Sequence, residues 1–108
     1  MGWFNKLATP QAPATTPTER ARKHLEIWST ATVPPNPRDV IPMVLIVVMD
    51  GWDRSHVEAI ATDGVPESDV TAIAGLLREY QLDHICSADA CAAALITMCQ
   101  QAWARHTV

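Results

Sequence analysis

The sequence predicts an all-α fold of four to five short helices packed around a central apolar segment at residues 40–49. That segment, VIPMVLIVVM, is almost purely apolar, and burying each of its large side chains is worth about 1.5–3 kcal/mol, so a small folded domain keeps it inside. Apolar side chains on either side of it recur at helical spacing, in stretches that begin at residues suited to cap a helix. We find no convincing second strand. The chain of 108 residues has room for one such core.

The first helix is predicted to begin after Thr16. Thr16 and Glu19 have the spacing of a capping box, and Pro17 stands at the first helical position, where no backbone donor is needed. The proline-rich residues 33–37 end this helix and give an extended connection. One face of the helix is formed by Ala21, His24, Leu25 and Trp28.

The apolar segment itself is predicted to be a helix with Asp39 as its N-cap and Pro42 in its first turn. Its valine and isoleucine content favours a strand instead. A lone strand leaves backbone N–H and C=O groups without partners. The alternative is therefore an α+β fold in which residues 40–49 form one intermolecular strand against a second copy of the chain.

A short helix is predicted after the apolar segment, where Ser55 and Glu58 have the spacing of a second capping box. Its apolar face is formed by Val57, Ile60 and Ala61. Asp63 and Gly64 end it, because glycine readily adopts the conformation that terminates a helix.

Two longer helices complete the predicted domain. The first follows Pro66 and has apolar positions at Val70, Ile73, Ala74, Leu77 and Tyr80. The second is capped by Ser87 and runs to about Arg105. Its apolar stripe is formed by Cys91, Ala92, Leu95, Ile96, Met98, Cys99, Ala102 and Trp103.

Residues 1–16 are predicted to be an N-terminal docking peptide and a Pro/Thr/Ala-rich linker in front of a single helical domain at residues 17–108. Residues 8–16 have polyproline character and no large apolar side chain. Ahead of them, Trp3, Phe4 and Leu7 form a small apolar face, which is typical of a docking peptide. Folding back onto the chain's own domain and contact with a membrane surface are the alternatives.

The charge distribution disfavours nucleic-acid binding. The formal net charge is −4, but it divides into +2 for residues 1–40 and −6 for residues 41–108. An acidic body weakens phosphate binding, which depends on many lysine and arginine contacts. A nucleic-acid-binding regulator is therefore an alternative that would use the basic residues Arg20, Arg22, Lys23 and Arg38.

Two clusters could carry chemistry. His84, Cys86 and Cys91 are close in sequence and are zinc-ligand types, but paired C-x2-C motifs are absent, and a cysteine on an apolar stripe is more often a small core residue. The turn containing Asp50, Asp53 and His56 holds groups that serve as general acids and bases. Aspartate and glycine are also what a turn and a helix start require. A small metalloprotein or enzyme is thus a further alternative.

The function predicted from these features is a small, non-enzymatic, cytoplasmic protein-interaction module, an adaptor, accessory protein or inhibitor, that self-associates. The partner is another protein, a second copy of the chain, or both. No cofactor is expected. No transmembrane segment is expected either, since the apolar run is shorter than the roughly 20 residues that a membrane-spanning helix needs. Three cysteines and the lack of an export signal favour a reducing compartment. The predicted interaction residues are Trp3, Phe4, Leu7, Trp28 and Trp52.

Overall fold

The computed structural model describes residues 16–107, and five helices with short connections account for that range. Within it the chain forms no strand, which confirms the all-α prediction and rules out the intermolecular strand at residues 40–49. The helices, in chain order, are α1 (Pro17–Ser29), α2 (Pro37–Val48), α3 (Arg54–Asp63), α4 (Glu67–Glu79) and α5 (Ala88–Thr107).

Helix α1 begins as its sequence predicts. The Thr16 hydroxyl accepts a hydrogen bond from the Glu19 backbone N–H at 3.0 Å, and the Glu19 carboxylate accepts one from the Thr16 N–H at 2.8 Å. These two bonds complete the capping box around Pro17. They also lower the pKa of Glu19, because both stabilise its ionised form. On the predicted apolar face, Ala21 and Leu25 are buried, Trp28 is half-buried and His24 is exposed.

The predicted start of α2 was wrong. Asn36, and not Asp39, is the N-cap, and its side-chain oxygen accepts from the Arg38 N–H at 2.9 Å. Pro37 takes the first helical position because its fixed φ suits it, which adds three residues to the helix. Pro42 consequently lies in the second turn and cannot donate to the Arg38 carbonyl. Arg38 and Pro42 are both exposed, so water can hydrogen-bond to the Arg38 carbonyl.

The N-cap of α3 also differs from the prediction. Asp53 caps the helix by accepting from the His56 N–H at 2.9 Å, so the helix begins before Ser55. Both are good capping residues, but Asp53 is the one in an extended conformation where the chain leaves the Gly51 turn. The predicted end is confirmed, because Gly64 has φ of +93° and its N–H donates to the Ile60 carbonyl.

Helix α4 ends in a hydrogen-bonded turn that returns the chain to the core. The Gln81 N–H donates to Arg78 and the Leu82 N–H to Leu77, the pattern of a Schellman motif. Gln81 occupies its left-handed position with φ of +57°, where glycine is the usual residue. The motif places Leu82, which is 1% exposed, in the core.

Helix α5 begins as predicted, with the Ser87 hydroxyl accepting from the Ala90 N–H at 3.1 Å. Cys91, Ala92, Leu95 and Cys99 of its predicted stripe are buried. Met98 was wrongly assigned to that stripe: it is 37% exposed. Met98 lies two turns after the buried Cys91 on nearly the same side of the helix, so its position around the circumference does not account for its exposure.

Helix α2 is central to the packing, in contact with α1, α4 and α5, while α5 also packs against α3 and α4. The apolar segment supplies Val40, Val44, Leu45 and Val47 to one contiguous core, as its composition predicts. None of the described helices has both the length and the apolarity needed to cross a membrane.

Candidate functional site

A small apolar cleft lies between α3 and α5. Its volume is about 270 Å³, and it is lined by Trp52, Asp53, Arg54, Val57, Ala102 and Trp103. The Arg54 guanidinium lies over the Trp103 ring, with its central carbon 5.4 Å from the ring centroid, a cation–π contact. We call this concavity the α3–α5 cleft.

The backbone turn after α2 places Trp52 at the cleft. Gly51 has φ of +82°, a left-handed conformation that a residue with a Cβ rarely adopts. The Trp52 N–H then donates to the Met49 carbonyl at 3.0 Å, which closes the turn. The chain thus turns between α2 and α3, and the Trp52 indole lines the cleft.

Side chains from two helices hold the Trp52 ring in place. The indole stacks on the His56 imidazole, with ring centroids 4.1 Å apart and an interplanar angle of 18°. The His56 Nε2–H donates to the Asp69 Oδ2 atom at 2.8 Å, since an ionised carboxylate can only accept. Asp69 is 9% exposed and is the only charged residue buried in the described part of the chain. The cleft wall is thus fixed by a chain of contacts from Trp52 to α4.

Asp69 is the site residue that the sequence analysis missed. It is in the first turn of α4, behind Pro66, an N-cap residue that makes no side-chain hydrogen bond. A carboxylate there is favourable because it faces the positive end of the helix dipole. That local role gave no sign of a partner thirteen residues away on α3. The sequence did contain one indication that Asp69 is buried: it lies on the same helical face as Ile73 and Leu76, which are also buried.

The predicted acid–base cluster does not assemble as a unit. Asp50 is exposed, Asp53 caps α3, and the His56 ring turns to Asp69 instead. The nearby thiol of Cys99 is buried, and its pKa is raised, first by burial and then by the charge of Asp69. A raised pKa leaves little thiolate to act as a nucleophile. The arrangement therefore orients rings and does not activate a thiol.

The zinc candidates do not converge either. Cys86 and Cys91 are buried thiols, while His84 is exposed and lines a different concavity. Among the residues that the structure describes, no three His, Cys, Asp or Glu side chains converge as a metal site. Burial raises the pKa of Cys86, and burial together with the charge and hydrogen bond of Cys86 raises the pKa of Cys91 to about 12.

Trp28 lines a larger and more polar surface, which we call the Trp28 groove. It lies between the C-terminal end of α1 and the α4–α5 connection, with a volume of about 520 Å³. Its walls combine the Trp28 indole with Pro34 and Pro35 and with the polar side chains of Arg78, Asp83 and His84. The two predicted anchor tryptophans in the described range thus line two separate concavities.

The predicted basic residues lie on exposed surface but among carboxylates. Arg20, Arg22 and Lys23 line a shallow depression on α1 together with Glu19 and Glu26, while Arg38 is exposed at the start of α2. The Arg22 guanidinium donates to the Tyr80 hydroxyl at 3.0 Å and is 3.9 Å from the Glu79 carboxylate. These contacts reduce the positive potential available to a phosphate backbone.

Trp3, Phe4 and Leu7 lie outside the described residues. Comparisons of the whole chain with protein families, with curated proteins and with solved structures found no match. Any functional assignment therefore depends on the chemistry of the residues themselves.

Proposed function

We propose that this protein is a small, non-enzymatic, self-associating protein-interaction module, and that its α3–α5 cleft receives an apolar side chain from a partner chain. The observation that carries the proposal is the pairing of Trp52 and Trp103 in one apolar concavity whose Trp52 wall is fixed through His56 and Asp69. Tryptophan is enriched at the sites that contribute most to binding between proteins.

The size of the cleft favours a side chain over a metabolite. Sites for small molecules typically enclose about 300–1,000 Å³, with several convergent polar groups. The α3–α5 cleft has about 270 Å³ and only two charged side chains, of which Asp53 caps α3 and Arg54 lies over Trp103. A prealigned wall also lowers the entropic cost of binding, since less side-chain freedom is lost.

The buried thiols support a non-enzymatic function in a reducing compartment such as the cytoplasm. Cys86, Cys91 and Cys99 are free and buried, and a raised pKa makes each a poor nucleophile. The nucleic-acid alternative is less well supported, because Arg22 is engaged by Tyr80 and Glu79 and its neighbours alternate with glutamates.

The test places a carboxylate in the cleft and measures self-association of the full chain by sedimentation velocity over a concentration series. Ala102→Glu puts a charge on the cleft lining, and we expect the dimer dissociation constant to rise at least tenfold. Ala93→Glu is the matched control on an exposed position of the same helix, and it leaves association unchanged. Far-UV circular dichroism checks that both variants are helical.

A wild-type chain that stays monomeric throughout the series would refute self-association. Equal weakening by Ala102→Glu and Ala93→Glu would exclude the cleft as the contact surface.

A further inference from the structure

We infer that the occupant of the α3–α5 cleft is the N-terminal peptide of a second copy of this chain, residues 3–7, with Trp3 or Phe4 inserted between Trp52 and Trp103. The inference depends on the proposed function, since it names the partner of the same cleft. The inference assigns a role to two features that the packing of the core does not explain: the cleft, and the aromatic peptide in front of the linker.

The chemistry of the peptide matches the cleft lining. Trp3, Phe4 and Leu7 are three large apolar side chains within five residues, and removing them from water favours binding. The cleft offers indole rings and the side chains of Val57 and Ala102. Aromatic rings that meet edge to face or offset attract each other in addition to the effect of the area they bury. A volume of about 270 Å³ suits one large aromatic side chain and its neighbours.

The charges of the peptide and the domain are also complementary. Lys6 is the only charged side chain in residues 1–16, whereas residues 41–108 carry a net charge of −6. Asp50 and Asp53 are exposed at the turn that carries Trp52, next to the cleft. Attraction between a cationic peptide and an acidic surface raises the association rate and helps fix orientation.

The linker gives the peptide the reach to enter the cleft of a second copy. Residues 8–16 separate Leu7 from Pro17, and their sequence, with prolines at 10 and 13, predicts an extended spacer of about 3.1 Å per residue, or about 28 Å in all. Because each chain has one peptide and one cleft, reciprocal exchange between two copies closes a symmetric dimer.

The decisive experiment is photo-crosslinking of the full chain with p-benzoylphenylalanine in place of Phe4. Chains carrying the probe are mixed with probe-free chains labelled with heavy isotopes, irradiated, digested and sequenced by mass spectrometry. We expect cross-links between light and heavy chains that map to residues 52–57 or 102–103, the cleft lining. Cross-links confined to a single chain, or mapping to other residues, would overturn the inference.

A second variant keeps the inference falsifiable if the probe disturbs the peptide. The double substitution W3S/F4S removes the aromatic pair, and we expect it to raise the dimer dissociation constant at least tenfold, as Ala102→Glu does. Gln11→Ser is the linker control and leaves the constant unchanged. If Ala102→Glu weakens the dimer and W3S/F4S does not, the cleft binds something else and only this inference fails. If neither substitution weakens it, the proposed function fails too.

Discussion

Replacing His56 with alanine tests whether the contacts from Trp52 to Asp69 stabilise the wall of the α3–α5 cleft. The substitution removes the 2.8 Å hydrogen bond to the Asp69 carboxylate and the ring that stacks on Trp52 at 4.1 Å. It leaves the α3 cap untouched, because Asp53 accepts its hydrogen bond from the backbone N–H of residue 56 and not from the imidazole. The change therefore isolates the side-chain contacts.

The magnitude follows from how deeply each partner is enclosed. A fully buried charge that loses its partner costs about 3–5 kcal/mol. The Asp69 side chain is 13% exposed and that of His56 is 36% exposed, so water enters the space left by the imidazole and screening reduces the cost to about 1–2 kcal/mol. Loss of the Trp52 stacking adds about 0.5–1 kcal/mol. We expect the free energy of unfolding to fall by about 2 kcal/mol.

The assay is urea unfolding at neutral pH, monitored by far-UV circular dichroism. It is applied to the four proteins of a double-mutant cycle: wild type, His56→Ala, Asp69→Asn and the double variant. Asp69→Asn removes the buried charge, so His56→Ala is expected to cost less in that background. The difference between the two costs is the coupling energy, which we expect to be about 1–2 kcal/mol. His84→Ala is the control on an exposed histidine and should stay within about 0.5 kcal/mol of wild type.

Two results would refute this reasoning. If His56→Ala costs less than about 0.5 kcal/mol, the imidazole does not satisfy Asp69 in any way that matters to stability. If the coupling energy lies within about 0.3–0.5 kcal/mol of zero, the two side chains act independently and the Trp52 wall is held by packing alone.

Further predictions concern the helix ends and the thiols. Asn36→Ala should lower the free energy of unfolding by about 1 kcal/mol and Asp39→Ala by less, because only Asn36 caps α2; urea titration compares them. Gln81→Gly should raise it by about 0.5–1 kcal/mol by relieving the left-handed conformation, and a lower melting temperature would contradict this. Raising the thiol pKa from 9.0 to about 12 cuts the thiolate fraction at pH 8 about a thousandfold, so iodoacetamide should label Cys91 far more slowly in the native protein than in urea, as mass spectrometry measures. The same thiol ionises near pH 9 in the unfolded chain but near pH 12 in the folded chain, so its contribution to stability is fully present below pH 9 and is lost as the pH rises toward 12. The free energy of unfolding, measured by urea titration under reducing conditions, should therefore decrease less steeply above pH 9 in Cys91→Ser than in wild type.

Elements determined by short-range chemistry could be predicted from the sequence. The capping box at Thr16, the glycine that ends α3 at Gly64 and the Ser87 cap of α5 all depend on residues within one turn of each other. The burial of the apolar segment also followed, because leaving its large apolar side chains in water would cost too much free energy.

Competing local signals and contacts between distant residues could not be resolved in the same way. Asn36 and Asp39 are both good caps, and the choice depended on Pro37, which was interpreted as part of an extended connection. The partnership of His56 with Asp69 exists only once α3 and α4 are packed in the domain. No spacing along the chain encodes it, so the sequence suggested Asp50 and Asp53 as the partners of His56.

Helix α3 packs against only one other helix of the described domain. It buries one residue, Ile60, and packs along α5 alone, with the His56–Asp69 hydrogen bond as a link to α4. A helix that buries one residue and packs against one neighbouring helix can unfold and refold locally while the core around α2 stays intact, so its amide protons should exchange with solvent at a lower free energy than those of α2. Whatever binds between α3 and α5 would bind only the folded form of α3, and would therefore slow that exchange in proportion to its occupancy.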